Sequence, residues 1–523
     1  MILGCFEKAL RRTAFFSILG VELFKRNMNK KYFSIALLML GFSFSECIAQ
    51  SKKTEIESNF KERESISHFR YLASDELMGR DPIRPEIDAA ARYIAEQFWK
   101  YGAKEITGAD GYYQNIPFRL SAPPSKGEVH LGDSIYRQGD NLLVLDGPSF
   151  EGKHALIVVG YGLESDYENK DVMGKVVVTN VGAPNRLSPA DLFAAGREKL
   201  SLAKSKGAIG IIEIYNVPTV PWNLVSNFLN RTQLTVDNTA GEQSIPYIWL
   251  KDLNNQMINA IGKGTYSSAD FQIMGKVNKS IIGKNVVAII EGTDPALKDE
   301  YVMLSAHYDH VGVGKPNAEG DSIYNGARDN AVGTVAIINA ARYFAEHPPK
   351  RSILLCAWTA EEKGLLGSGF FADNPLIPLE KVVYNLNIDN AGYNDTSIIS
   401  VIGLGRTSAD PMIEKAVAEF GLNAISDPAP EQGLYDRSDN VNFARKGIPS
   451  PTFSLGFTAF DEEVSKHYHQ ASDQVDNFDL EYAVLYWKSY ILSALYIANW
   501  DQKPVWKAGD KYEEVGKKLY GLD

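Results

Sequence analysis

From Asn285 onward, apolar runs of strand length alternate with stretches of helical periodicity. The runs are Val286 to Ile290, Val302 to Ser305, Ile353 to Trp358, Val382 to Ile388, Ile398 to Ile402 and Pro451 to Leu455. Each is short, continuous and bounded by polar or turn-forming residues, as buried strands are. Between them, Val335, Ile338 and Ala341 share one face of a helix expected from near Asp329 to about Glu346. Further helices are expected over Met412 to Phe420 and from Asp479 to about Trp500. This alternation predicts an α/β domain with a mixed, largely parallel sheet flanked by helices. Earlier in the chain, Ala90, Ile94 and Phe98 line one side of a helix over Ile87 to Tyr101.

The pattern changes between those two regions. Ser121-Ala122-Pro123-Pro124-Ser125 breaks the chain, and residues 126–280 read as short strands: Ala155 to Val159, Lys175 to Thr179 and Ile209 to Ile214. One helical stretch, around Leu192 to Lys206, interrupts them. The histidines of this block, His130 and His154, have no acidic partner at metal-ligand spacing. The expected division is therefore a leader over 1–49, a catalytic domain over 50–125 and 281–505, a β-rich insert over 126–280, and a tail over 506–523. A chain of 523 residues is too long for one ordinary core, which agrees with that division.

Composition narrows the function. Hydrophobic residues make up 45% and charged residues 23%, ordinary values for a globular protein. A net charge of −11 argues against nucleic acid or an anionic membrane as partner. Met28-Asn29-Lys30-Lys31 followed by the apolar run Tyr32 to Phe44 reads as an export signal starting at Met28, too short to span a bilayer. Cys47-Ile48-Ala49 supplies small residues for cleavage near Ala49, which implies a periplasmic or extracellular protein without stable membrane insertion. Cleavage there leaves Cys356 as the one cysteine, inside an apolar run, where it reads as a buried small hydrophobe rather than a nucleophile.

Chemistry-bearing residues stand where the apolar runs end. Val302 to Ala306 leads into His307-Tyr308-Asp309, Ile353 to Ala360 into Glu361-Glu362, and Val382 to Ile388 into Asp389. The run ending at Leu455 precedes a loop holding His467 and His469, and Asp329 begins a helix. Taken singly, each is ordinary: a strand-end histidine, a solvated acidic pair, a helix cap. In an open α/β sheet, however, the carboxyl ends of the strands share one crevice. His307, Asp329, Glu362, Asp389 and one late histidine form a nitrogen and oxygen donor set without thiolates. That set suits zinc, with cobalt or manganese as substitutes, and accommodates two ions if one carboxylate bridges. Asp309, two residues beyond His307, is placed to hold its imidazole tautomer.

The motifs resemble those of the M28 family of zinc exopeptidases, many of them secreted aminopeptidases. They are Ala306-His307-Tyr308-Asp309-His310, Arg328-Asp329-Asn330-Ala331-Val332-Gly333-Thr334, Ala360-Glu361-Glu362-Lys363-Gly364, Asn387-Ile388-Asp389 and Tyr468-His469-Gln470-Ala471-Ser472-Asp473. The likeness extends to His68 to Pro117, including Tyr71-Leu72-Ala73-Ser74-Asp75 and Gly79-Arg80. Met173-Gly174-Lys175-Val176-Val177-Val178 and Lys206-Gly207-Ala208-Ile209-Gly210 make the insert resemble a protease-associated domain. The resemblance implies two zinc ions bridged by Asp329, with His307 and Asp389 completing one site and Glu362 and His469 the other. It further implies Glu361 as general base on the attacking water, and Tyr435 as a hydrogen-bond donor to the tetrahedral oxyanion.

Two positions depart from the family pattern: Asn390 where relatives often have Met, and Asn440 where many have His. They bear on substrate preference rather than on the metal. The expected function is removal of amino-terminal residues from peptides. Alternatives on the same fold are a carboxypeptidase, using Arg328 or Arg437 for the substrate carboxylate, a glutaminyl cyclase, or an inactive binding homologue. A free amino terminus is favoured as substrate because the site is rich in carboxylates. Nothing in the pattern indicates an oligomeric state.

Overall fold

A computed structural model of the chain describes residues 52–184, 189–237 and 244–522. The expected leader and its cleavage point lie outside them. Nine strands form the sheet that carries the catalytic motifs: β1 (Tyr113–Ala122), β2 (Gln233–Val236), β3 (Val277–Ile290), β4 (Tyr301–His307), β5 (Ser352–Trp358), β6 (Val382–Ile388), β7 (Ile398–Ile402), β8 (Asn423–Ile425) and β9 (Thr452–Leu455). Their order is β8-β7-β9-β6-β4-β5-β3-β1-β2. The pairs β5/β4, β4/β6 and β6/β9 are parallel, so His307, Glu361 and Asp389 emerge at the same end. On either side the pairing turns antiparallel, at β3/β5, β1/β3, β1/β2 and β7/β9, and the outermost pair β7/β8 is parallel, so the sheet is mixed around a parallel centre.

Helices α1 (Glu62–Leu72), α2 (Glu86–Tyr101), α3 (Val332–Glu346), α4 (Asp410–Glu419) and α5 (Leu480–Asn499) accompany this sheet. Asp479 caps α5, accepting from the Glu481 and Tyr482 amides at 3.0 Å each. Along α5, Tyr482, Tyr486 and Tyr490 recur every four residues and so share one face. Their buried hydroxyls donate to the carbonyls of Ile398 in β7, Phe453 in β9 and Leu386 in β6, at 2.8, 2.9 and 2.8 Å. The helix thus registers three successive strands, each bond contributing about 1 kcal/mol. Trp487 donates to the Val332 carbonyl at 2.9 Å and ties α5 to the start of α3. On the opposite side, Cys356 is buried with Val287, Met303, Leu354, Trp358 and Phe443, the packing expected of a small hydrophobe.

A second sheet of eight strands lies between residues 127 and 273. Its buried polar centre is Lys199, on the helix Pro189–Ser205, whose Nζ sits 2.5 Å from Glu213; Tyr247 and Trp249 donate to the same carboxylate. Sheet membership does not follow the expected boundary at 280. β3 begins at Val277 and runs through it, and β2 leaves the inserted stretch to pair with β1. Residues 506–522 are not a loose tail. Trp506 is buried and donates to the Gly447 carbonyl at 2.9 Å, and the helix Glu513–Tyr520 ends with Tyr520 donating to Val382 at 2.7 Å.

Candidate functional site

Five elements deliver side chains to the crevice at the carboxyl ends of the parallel strands. His307 is the last residue of β4, and Asp389 directly follows β6. Glu361 and Glu362 follow β5 after a tight turn in which Ala360 has φ +57°. Asp329 sits before α3, in extended rather than helical backbone; the expected helix start at Asp329 is displaced to Val332. His469 comes from the loop after β9.

All five expected ligands converge. His307 Nε2 lies 3.2 Å from both Asp329 Oδ1 and Asp389 Oδ1. His469 Nε2 lies 3.1 Å from both Asp329 Oδ2 and Glu362 Oε1. Asp329 is therefore common to two groups, one oxygen facing each. His467 points elsewhere: it is buried, and its Nδ1 sits 3.0 Å from the Ser472 carbonyl.

The arrangement fits metal ions. Donor atoms about 2.0–2.1 Å from a tetrahedral ion stand about 3.3 Å from one another, close to the separations here. His310 adds a third imidazole, which carries no role in the sequence reading. Its Nδ1 is 2.9 Å from Glu362 Oε1 and 3.7 Å from Asp329 Oδ2. Neither nitrogen of buried His310, nor Glu362 Oε1, makes a hydrogen bond among the described residues. Buried polar atoms without partners are costly, and a cation between them removes the cost. Among the described residues, two groups could hold an ion: His307-Asp329-Asp389 and His310-Asp329-Glu362-His469.

Electrostatics separates the two glutamates. Burial alone would raise the Glu362 carboxyl, and Asp329 adds to that, but His310 and His469 outweigh both and hold it at about 2. Glu361 behaves oppositely. Burial, with Asp389, Asp439 and Glu362, pushes its carboxyl well above the usual range against the pull of His307. Glu361 lines the cleft yet lies in neither ion-holding group.

Two expectations need correction. The Asp309 carboxylate does not orient His307; its nearer oxygen is 3.9 Å from Nδ1, whereas the Asp309 backbone carbonyl is at 3.1 Å. The carboxylate instead accepts from the backbone N–H groups of Glu361 and Glu362, at 3.1 and 3.2 Å. Tyr435 does not face the cleft. Its hydroxyl donates to the Ser450 carbonyl at 2.8 Å, and Asn440 donates to the same oxygen at 3.2 Å. The tyrosine lining the cleft is Tyr468, stacked on His469 with ring centroids 4.0 Å apart. Burial raises its hydroxyl pKa, and the nearby Asp329, Glu362 and Asp389 raise it further, so it stays a proton donor. Its position beside His469 in the motif was the available signal.

Arg80, in the Gly79-Arg80 pair, is fully buried and also went unassigned. Its guanidinium donates to the carbonyls of Tyr308, Asn325 and Gly326 at 2.7, 2.6 and 2.9 Å, and to that of Leu72. It joins the turn after His307 to the loop before Asp329. Arg328, by contrast, is occupied: it pairs with Asp473 at 3.0 Å and donates to Asn477.

Residues 285–487 match the model of peptidase family M28. The aminopeptidase YwaD of Bacillus subtilis is 26% identical over 327 residues, 62% of each chain. Leucine aminopeptidase 2 of Trichophyton equinum is 30% identical over 217 residues, 39% of this chain and 38% of its own. The matches thus span less than two thirds of these relatives' length. The structure of an aminopeptidase from Aneurinibacillus sp. strain AM-1 superposes with a TM-score of 0.52 over 85% of this chain and 96% of that one, at 20% identity, a likeness of fold.

Proposed function

We propose that the chain, whose residues 285–487 match the model of peptidase family M28, is an exported two-zinc exopeptidase that removes amino-terminal residues from peptides. The observation that carries the proposal is Asp329, shared between two groups of donors with a free-standing carboxylate, Glu361, beside them. Asp329 would be shared by both sites, His307 and Asp389 would hold one ion, and Glu362 and His469 would hold the other, with His310 against Glu362. Zinc held there would supply polarisation of the scissile carbonyl and acidify the attacking water.

The side chains supply the rest. Glu361 takes the proton of the attacking water and passes it to the leaving amine, and a group raised above the usual carboxylate range is suited to holding a proton for part of each turnover. Asp309 fixes the backbone of Glu361 and Glu362, so the base and its neighbouring ligand keep one relative position. Tyr468 offers its hydroxyl to the developing oxyanion. The carboxylates Glu361, Asp389 and Asp329 favour the α-ammonium group of a free amino terminus. For the β-rich stretch 127–273, which builds a second sheet and lends its strand Gln233–Val236 to the catalytic one, we propose a protease-associated role. Among the described residues no helix is long and apolar enough to cross a membrane.

The test compares a pentapeptide with its N-acetylated twin and its C-terminal amide, using zinc-loaded protein. The free peptide and the amide should be shortened from the amino end, and the acetylated peptide left intact. Cleavage of the acetylated peptide, with none of the amide, would establish a carboxypeptidase instead.

A further inference from the structure

Arg437 differs from every other charged group around the cleft. The wall carrying Asp329, Glu361, Glu362 and Asp389 is acidic, and Ile402, Leu434, Phe457 and Phe460 make an apolar wall. Arg437 is the one arginine or lysine among the cleft-lining residues described. It ends the short turn Leu434–Arg437 and is exposed. Its sequence neighbours are committed elsewhere. Asp436 binds Lys511 at 3.1 Å, and buried Asp439 accepts from Ser368. Arg406, on the far side of Tyr435, is paired with Asp510 at 2.7 Å. Among the described residues nothing hydrogen-bonds to or ion-pairs with the Arg437 guanidinium, although it is near enough to influence the Tyr468 hydroxyl.

The guanidinium, with no described carboxylate paired to it, stands as an unpaired positive charge among the cleft-lining groups. A guanidinium presents paired donors that match a carboxylate bidentately. The substrate's α-ammonium is repelled by Arg437 and drawn to the acidic wall. That polarity sets the amino-terminal residue toward Asp389 and Glu361 and the leaving residue toward Arg437.

We propose that Arg437 is a specificity-determining residue that binds a carboxylate carried by the leaving residue. The carboxylate is either the carboxyl terminus of a dipeptide or an acidic side chain in the second position. This inference rests on the aminopeptidase reading above. Because the contact is exposed, its expected effect is on the order of tenfold in kcat/KM.

The experiment measures kcat/KM of the zinc-loaded full chain on two matched pairs, Leu-Gly against Leu-Gly-amide and Leu-Glu-amide against Leu-Gln-amide. The wild type should favour the charged member by about tenfold in at least one pair. Arg437→Gln should bring that ratio close to one, and Arg437→Lys should retain part of it. A ratio in the first pair alone identifies the dipeptide carboxyl terminus, and in the second alone the acidic side chain. Equal rates within both pairs for the wild type, or a ratio that survives Arg437→Gln, overturn the assignment of Arg437 and leave the aminopeptidase reading standing. Failure to hydrolyse any of the four substrates overturns both.

Discussion

Replacing Arg80 with lysine should cost both stability and zinc affinity. The side chain is buried, with its backbone at φ +52° following Met78 and Gly79, both also left-handed. A Cβ at Gly79 would stand 2.4 Å from the Gly312 carbonyl oxygen, so the approach of this segment to the site leaves no room for a side chain there. The guanidinium satisfies four backbone carbonyls: Leu72, Tyr308, Asn325 and Gly326. Burial lowers its pKa to about 10, but Asp329 and Asp309 oppose that shift, so it remains charged at neutral pH beneath the carboxylates. At about 1.5 kcal/mol for each charge-assisted bond, the four together approach 6 kcal/mol, within the whole stability of a domain. Arg80→Met is therefore expected not to accumulate as folded protein. Lysine keeps the charge but lacks the fork, and reaching about half of these acceptors would cost about 3 kcal/mol, on the order of 5–10 °C in Tm. Because the released carbonyls belong to the turn after His307 and the loop before Asp329, zinc affinity should fall by about 10- to 100-fold as well. The assay pairs a melting curve with competition against a zinc chelator. A lysine variant that melts early yet binds zinc as the wild type does would refute the clamp on the ligands and leave Arg80 a packing residue.

Glu361→Gln should retain its zinc by elemental analysis while kcat falls on the order of 10²–10⁴-fold; near-normal turnover would remove Glu361 as the base. Tyr468→Phe should reduce kcat by about 10²-fold with Tm preserved, and Tyr435→Phe should lower Tm with kcat nearly kept; the opposite pattern would restore Tyr435 to the oxyanion. His469→Ala should lose zinc on dialysis and His467→Ala should keep it, and the reverse would mean that the loop register is wrong. His68 is buried between the hydroxyls of Tyr93 and Tyr101, and burial lowers its pKa to about 4. The unfolded chain then takes up a proton below about pH 6.5 that the fold refuses, so stability from this group is complete above that pH and falls by about 1.4 kcal/mol per unit towards pH 4. His68→Gln should flatten that part of the Tm-against-pH curve relative to the wild type, and an unchanged slope would exclude His68 as its source.

The central strands were readable because burial on both faces writes them as continuous apolar runs, and those of β4, β5 and β6 led directly into the residues they deliver to the cleft. The polar interruptions within them have a structural cause. Asn385 and Asn387 in β6 look misplaced in a buried strand, yet the Ser305 hydroxyl in β4 lies 2.8 Å from the side-chain oxygen of each and can donate to one of them at a time, and their amides reach Ser450 and Ser438. β1 escaped notice although its burial alternates through Ile116 and Phe118, because Pro117 reads as a strand breaker. The amino-terminal half of β3 is partly exposed and lacks the apolar run that marks its buried end.

The misassigned tyrosine and the misread tail have one origin. Position in a motif says which tyrosines lie near the site, but not which way each ring turns; that depends on what packs behind it. Behind Tyr435 stands Arg406, 4.1 Å from the ring centroid, held in place by bonds to Asp510 at 2.7 and 3.0 Å. Tyr512 and Lys511 pack on the same ring, with Tyr512 6.3 Å and Lys511 5.7 Å from its centroid. Asp510, Lys511 and Tyr512 all come from the stretch read as a tail, about 75 residues after Tyr435, and no local pattern links the two. With that segment packed in place, the Tyr435 hydroxyl is directed to Ser450, and the cleft is left to Tyr468, whose ring is oriented by stacking on the adjacent His469. The residue whose direction is set by its immediate neighbour is the one a motif can identify. The residue whose direction is set by the far end of the chain is the one it cannot.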